Sequence, residues 1–261
     1  MTTNILWADA ERDVVLASGA DAATFLHSQL AQDITPLAVG ETTQSLLLEP
    51  TGHVHSLVRV VRHEENLYTI DVDAGYGEAV ITRLKRFILR AQVTLTPSDW
   101  TVRSYRGEGV NEALASVPGK AIVGWGSDDA IDIIGEIANM AVLGEQTEPG
   151  HIDMMRVDQQ WPRLGVDILV GDIPATTGIV HATVSFSKGC YPGQELVERM
   201  DSRGAGAPVN LRIMSRDGVG VGARVEATPQ DSGTVTSVGF TRAFVRVGRG
   251  SSIGEPFSPN V

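Results

Sequence analysis

Cysteine is almost missing from this sequence: Cys190 is the only one in 261 residues. A single cysteine excludes an internal disulfide and an all-cysteine metal site within one chain. Basic excess is missing too. Lys and Arg number 21 against 32 Asp and Glu, for a formal charge of −11, so a general coating of nucleic acid or anionic membrane is disfavoured. No window approaches the ~18 consecutive apolar residues of a membrane span. The first nine residues lack a basic stretch followed by an apolar one, so no signal peptide is expected, and the location expected is the cytoplasm. No Walker-A loop, no Gly-x-Gly-x-x-Gly between a strand and a helix, and no Gly-x-Ser-x-Gly elbow occurs. Nucleotide hydrolysis and dinucleotide redox chemistry therefore have no support. The six histidines show no zinc-motif spacing, and no metal site is expected. There is no fixed-period repeat and no low-complexity tract.

What remains has 42 % hydrophobic and 20 % charged residues, as in an ordinary globular protein, with length enough for two or three modest units. Val14–Gly19 predicts a strand running into a turn, and Asp21 an N-cap for a helix through Leu30, closed by Pro36. Residues 42–73 predict antiparallel strands around the turn Pro50-Thr51-Gly52. Residues 76–90 predict a helix whose stripe is Val80, Ile81, Leu84, Phe87 and Ile88, with Arg83, Lys85 and Arg86 elsewhere on the wheel. Residues 100–148 mix strand and helix signals, 144–150 suit a linker, and 152–158 fit either strand or helix. From about residue 209 short strands alternate with turns, which predicts a small antiparallel β unit.

The richest stretch is Lys188-Gly189-Cys190-Tyr191-Pro192-Gly193-Gln194-Glu195. Two glycines and a proline force a turn, and a helix start follows, with Glu195 in the first turn and Leu196, Val197 and Met200 at helical spacing. A lone cysteine is most often a small buried hydrophobe. Here the glycine-rich loop, the nearby Lys188 and the helix N-terminus together favour a reactive thiol. Asp158, after an alternating stretch, is either a surface acid or a carboxylate that accepts paired hydrogen bonds from a nitrogen heterocycle. Lys188, Arg199, Arg203, Arg212 and Arg216 are either scattered solvated charge or a site for a polyanion such as a polyglutamate tail or an RNA segment.

The 188–195 stretch resembles the signature of the YgfZ-type folate-binding proteins, relatives of the glycine-cleavage T-protein (aminomethyltransferase). Other segments agree in the same order: Phe25–Ile34, Leu84–Val93, Met155-Arg156-Val157-Asp158 with Pro162-Arg163-Leu164-Gly165, Arg199, Arg203-Gly204, and Gly233–Ser237. The resemblance covers most of the chain and thins over 100–148. It implies an α+β fold of three units around a central folate site: a discontinuous first domain (1–41 and 149–205) carrying the cysteine loop, an inserted α+β domain (42–148), and a C-terminal β domain (206–261). It implies tetrahydrofolate, or a one-carbon-substituted folate, as cofactor. By the same carry-over Asp158 holds the pterin, with Tyr191, Gln194, Glu195 and Arg199 as further folate-site residues, while Cys190 and Lys188 carry the chemistry. The function implied is accessory to iron–sulfur cluster assembly or repair. The partners are then iron–sulfur client enzymes or assembly proteins, with tRNA reached only through such a client. The alternative is a folate-dependent aminomethyltransferase or demethylase-type one-carbon transferase. Two departures stand out. Gly52-His53-Val54-His55-Ser56-Leu57 lacks the aspartate that aminomethyltransferases place there, and Arg12 and Ile152 stand where some YgfZ-type proteins have tryptophan.

Overall fold

The structure is a computed structural model that describes residues 5–115, 121–123, 129–203, 207–257 and 259. Three β-sheets organise it. The strand expected from Val14 is β2 (Arg12–Ser18), and a further strand that the sequence did not signal, β1 (Leu6–Ala10), precedes it, parted only by Glu11. β2 enters a five-stranded sheet with β3 (Thr42–Leu48), β4 (Val54–Glu64), β5 (Leu67–Asp73) and β6 (Thr94–Ser98), in the order β3-β4-β5-β2-β6. β1 instead joins a second sheet, with β7 (Thr101–Arg106), β8 (Ala121–Val123), β9 (Ala130–Gly135) and β10 (Glu145–Gln146), in the order β10-β1-β7-β9-β8. The chain thus crosses from one sheet to the other at Glu11.

Between these strands lie α1 (Ala22–Gln29), α2 (Gly77–Lys85) and α3 (Val110–Leu114). Asp21 precedes α1 without capping it through its side chain; its carboxylate takes the Gln92 N–H at 2.6 Å instead. α2 stops at Lys85, short of the expected residue 90, and Phe87 and Ile88 pack on the core from the following turn. Arg83 also departs from expectation. It is 1 % exposed, donates to the Leu48 carbonyl at 2.6 Å and lies over the Phe87 ring. The ambiguous stretch is helix α4 (Pro149–Asp158), opened by Pro149, whose missing N–H costs nothing at a first helical position. After the short α5 (Val180–Thr183), α6 (Gln194–Arg203) begins where the sequence predicts. The tail forms the third sheet, β11 (Val209–Ser215), β12 (Arg224–Thr228), β13 (Asp231–Val238) and β14 (Arg242–Gly248), in the order β11-β14-β13-β12.

β4 and β5 are the centre of the main core. Their Val, Ile, Leu and Tyr side chains are buried on both faces, because α1 and α2 cover one and other parts of the chain the other. The same cluster takes in Val157, Trp161, Val197, Leu211 and Phe244, so the third sheet and the residues around the cysteine loop share it. A separate cluster around Ile5, Trp7, Tyr105 and Ile131 holds the second sheet.

Candidate functional site

Where β1 passes to β2, the first two sheets and α4 enclose a cavity of about 360 Å³. That is within the range of a small-molecule site. Leu57 of β4, Ile152 of α4, Trp161 and Pro162 give it apolar walls. Charged side chains line the rest, and the sheets hold them in place. Arg59 on β4 is 2 % exposed; its Nε and Nη2 donate to Asp71 at 2.8 and 3.1 Å, and its Nη1 crosses to Asp132 on β9 at 2.6 Å. Arg106 on β7 closes the group on Asp132 at 2.9 Å. Although burial opposes ionisation, the Arg106 and Arg59 guanidiniums beside Asp132 hold its carboxyl far below the usual range. Arg12 donates to Asp71 and, at 3.2 Å, to Asp73. Asp73 also accepts the Leu164 N–H at 3.0 Å, and burial raises its pKa despite Arg12.

On the α4 side, Arg156 is fully engaged: with Asp153 at 2.8 Å, Asp167 at 3.0 Å, the Ser237 hydroxyl, and the Trp161 carbonyl. Arg163 reaches Asp153 at 3.2 Å through Nη1 alone. Asp9 takes a two-pronged fork from Arg103 at 2.6 and 3.0 Å. The cavity therefore offers flat apolar walls and a polar rim in which nearly every charge already has a partner.

The cysteine loop lies elsewhere. None of Lys188, Cys190, Tyr191, Gln194, Glu195 and Arg199 lines this cavity. The loop packs instead on the β3–β4 turn. Gly52 (φ +89°) and Gly193 (φ +87°) meet there, and a Cβ on Gly193 would stand 2.6 Å from the Glu49 carbonyl oxygen. Cys190 is exposed. The Gln194 side chain accepts the Tyr191 N–H at 3.0 Å and sets its Nε2 3.9 Å from the Cys190 sulfur. The Lys188 ammonium points into the C-terminal end of α1, donating to the carbonyls of His27, Leu30 (2.7 Å) and Gln32 (3.2 Å), and it lies over the Tyr191 ring. Burial brings the Lys188 pKa down to about 8, with Asp33 pulling the other way. Burial, helped by Glu198, pushes the Tyr191 phenol up to about 12. Glu195 and Arg199 face solvent. α6 does line a second cavity, of about 330 Å³, through Val197, Met200 and Asp201.

Asp158 ends α4, and its carboxylate accepts the N–H groups of Phe240, Thr241 and Arg242 at 2.9, 3.1 and 3.0 Å. It fastens the β13–β14 turn and does not line the larger cavity. Three cations of the basic cluster expected around the cysteine loop are spent on backbone carbonyls. Arg212 donates to carbonyls of residues 251–254 and Arg216 to that of Gly239, and Lys188 is engaged as above. His55, at the departure in β4, bonds the Ser56 hydroxyl at 3.0 Å, and burial lowers its pKa.

The residues that build the cavity, Arg59, Asp73, Asp132 and Arg156, were not singled out in the sequence. One signal was there: Asp71 and Asp73 interrupt a strand that is otherwise apolar, and charges in such a strand must be paired.

The architecture is α+β and multidomain, and it matches that of the glycine-cleavage aminomethyltransferase T-protein. Among solved structures, the glycine cleavage system aminomethyltransferase T from Bartonella henselae superposes with a TM-score of 0.77 at 17 % identity, covering 94 % of this chain and 78 % of that one. A heterotetrameric sarcosine oxidase from Corynebacterium aligns over 50 % of this chain with a TM-score of 0.33. By sequence, a Haemophilus influenzae protein described only as uncharacterized is 24 % identical over 248 residues, 86 % of this chain and 80 % of its own length. No family model matches the chain.

Proposed function

We propose that this protein binds tetrahydrofolate, with the pterin in the cavity between the first two sheets and α4. The observation that carries this reading is the cavity itself. Its 360 Å³ and its apolar walls at Leu57, Ile152, Trp161 and Pro162 suit a flat heterocycle. Carboxylates and guanidiniums at its rim suit a ring edge that both donates and accepts. When bound, the folate would supply a carrier for one-carbon units. Trp161 and Ile152 would flank the ring, and Leu57 would help exclude water.

The fold likeness to an aminomethyltransferase favours a one-carbon transferase. In that reading Asp73, whose pKa burial raises, is the group suited to hold a proton inside the cavity. A second reading is favoured by the exposure of Cys190 in a loop fixed by Gly193, Gln194 and Lys188. There the folate-loaded protein presents its thiol to a client whose iron–sulfur cluster is being built or repaired. A lone thiolate would share such a cluster with the client, since clusters take about four protein ligands.

Calorimetric titration with tetrahydrofolate tests the shared core of both readings. Saturable binding is expected in the wild type. It is expected to be lost in Gln44→Trp, which fills the cavity from β3, while the far-UV spectrum is kept. Equal binding by both proteins would remove the cavity from consideration. The two readings part on Cys190→Ser. Loss of iron–sulfur enzyme activity in cells selects the accessory role; iron–sulfur activity kept in Cys190→Ser, with methylene-tetrahydrofolate chemistry that survives Cys190→Ser and is lost in Asp73→Asn, selects the transferase.

A further inference from the structure

The carboxylates around the larger cavity are almost all committed to partners within the chain. Asp9 holds Arg103, Asp73 holds Arg12 and the Leu164 N–H, Asp132 holds Arg59 and Arg106, and Asp153 holds Arg156 and Arg163. Glu11 is different. It lines the same cavity, and among the described residues its carboxylate has no hydrogen bond or ion pair. Its backbone is nevertheless fixed. Glu11 is the single residue between β1 and β2, and its carbonyl accepts the Ala74 N–H at 3.2 Å. A carboxylate with both oxygens free, carried on a held backbone at the rim of an apolar-walled cavity, can take a pair of adjacent N–H donors without giving up an internal partner.

We infer that Glu11 is the specificity-determining carboxylate of this cavity, taking the paired N–H donors of a ligand's guanidine-like edge, such as the 2-amino and N3–H groups of a 2-amino-4-oxopyrimidine. The inference rests on the folate reading above. Two parallel donors match two carboxylate oxygens as a guanidinium does, and such charge-assisted pairs are strong and directional. The other rim carboxylates would have to break an internal ion pair to do the same, leaving a buried guanidinium without its counter-charge. Asp158 would have to release the β13–β14 turn.

The test is anaerobic calorimetry on the full chain with two probes, tetrahydrofolate and its 2-desamino analogue, which lacks one of the paired donors. Glu11→Gln is expected to weaken tetrahydrofolate about ten- to a hundred-fold, the worth of a hydrogen bond to a charged group. The analogue keeps only the N3–H donor, so the same change is expected to weaken it by a clearly smaller factor, about ten-fold at most. Because Glu11 is exposed and unpartnered, the urea midpoint of the variant should equal that of the wild type. Equal tetrahydrofolate affinity in the two proteins, or equal weakening of both probes, would overturn the inference while leaving the folate reading intact. Weakening by Asp158→Asn but not by Glu11→Gln would give the role to Asp158. A wild type that binds neither probe would instead sink the folate reading, and this inference with it.

Discussion

At the scale of single residues, the molecule separates two chemistries that its sequence places close together. Cys190 and Asp158 stand 32 positions apart, yet one is an exposed thiol in the loop that packs on the β3–β4 turn and the other a buttress under the third sheet. Cys190 should react with a small alkylating reagent in the native protein about as readily as in urea, checked by mass spectrometry; strong native protection would contradict its exposure. Lys188 is a structural cation as well as a neighbour of the thiol. Lys188→Ala removes three donors to the end of α1 and should cost about 1.5–3 kcal/mol, the worth of a hydrogen bond to a charged group, measured by urea unfolding. The histidines set a pH dependence. Burial holds His27, His55 and His63 below their ordinary 6.5. As pH falls through 6.5 the unfolded chain takes protons that the native chain refuses, so stability declines from there down to the native values. Urea midpoints followed from pH 7.5 to 5 should fall, and His63→Gln should flatten the fall; a flat wild-type profile would refute it.

At the scale of elements, the junctions matter more than the strands and helices they join. The β3–β4 turn and the start of α6 approach so closely at Gly52 and Gly193 that neither tolerates a side chain. Gly193→Ala combines strain at φ +87° with a clash against the Glu49 carbonyl, and should destabilise by about 1–3 kcal/mol, read from the shift of the denaturant midpoint. A neutral result would mean that the two turns can separate. The elements themselves were largely legible in the sequence. β4 and β5 follow from β-branched apolar runs bounded by turn residues, as strands buried on both faces should, and α2, α6 and the tail strands follow from their periodicity, because alternation and the 3.6-residue stripe report burial directly. Less legible was 100–148, where β7 and β9 carry buried Arg103, Arg106 and Asp132 that break the apolar pattern. The helix α4 was hidden for the same reason, since its inner face contains Arg156.

At the scale of the whole molecule, buried ion pairs tie the layers together. Arg59 and Asp132 link the first sheet to the second, Arg156 links α4 to β13 through Asp167 and Ser237, and Arg246 meets Asp172 at 2.6 Å. Asp132→Asn leaves Arg59 and Arg106 without their shared counter-charge and should cost about 3–5 kcal/mol; an unchanged urea midpoint would show the network to be dispensable. Among the described residues no helix is long and apolar enough to cross a membrane.

The sequence by itself determined the local matters: which stretches turn, which alternate, and where a helix must start after the cysteine loop. Sterics and side-chain period act over a few residues, so they can be read from neighbours. Tertiary structure alone decided that Lys188 turns to α1, that Asp158 holds the β13–β14 turn, and that charges from β1, β2, β4, β5, β9 and α4 converge on one cavity. Whether a charge is solvated or paired depends on partners tens of residues away, and only the folded chain brings them within hydrogen-bond reach.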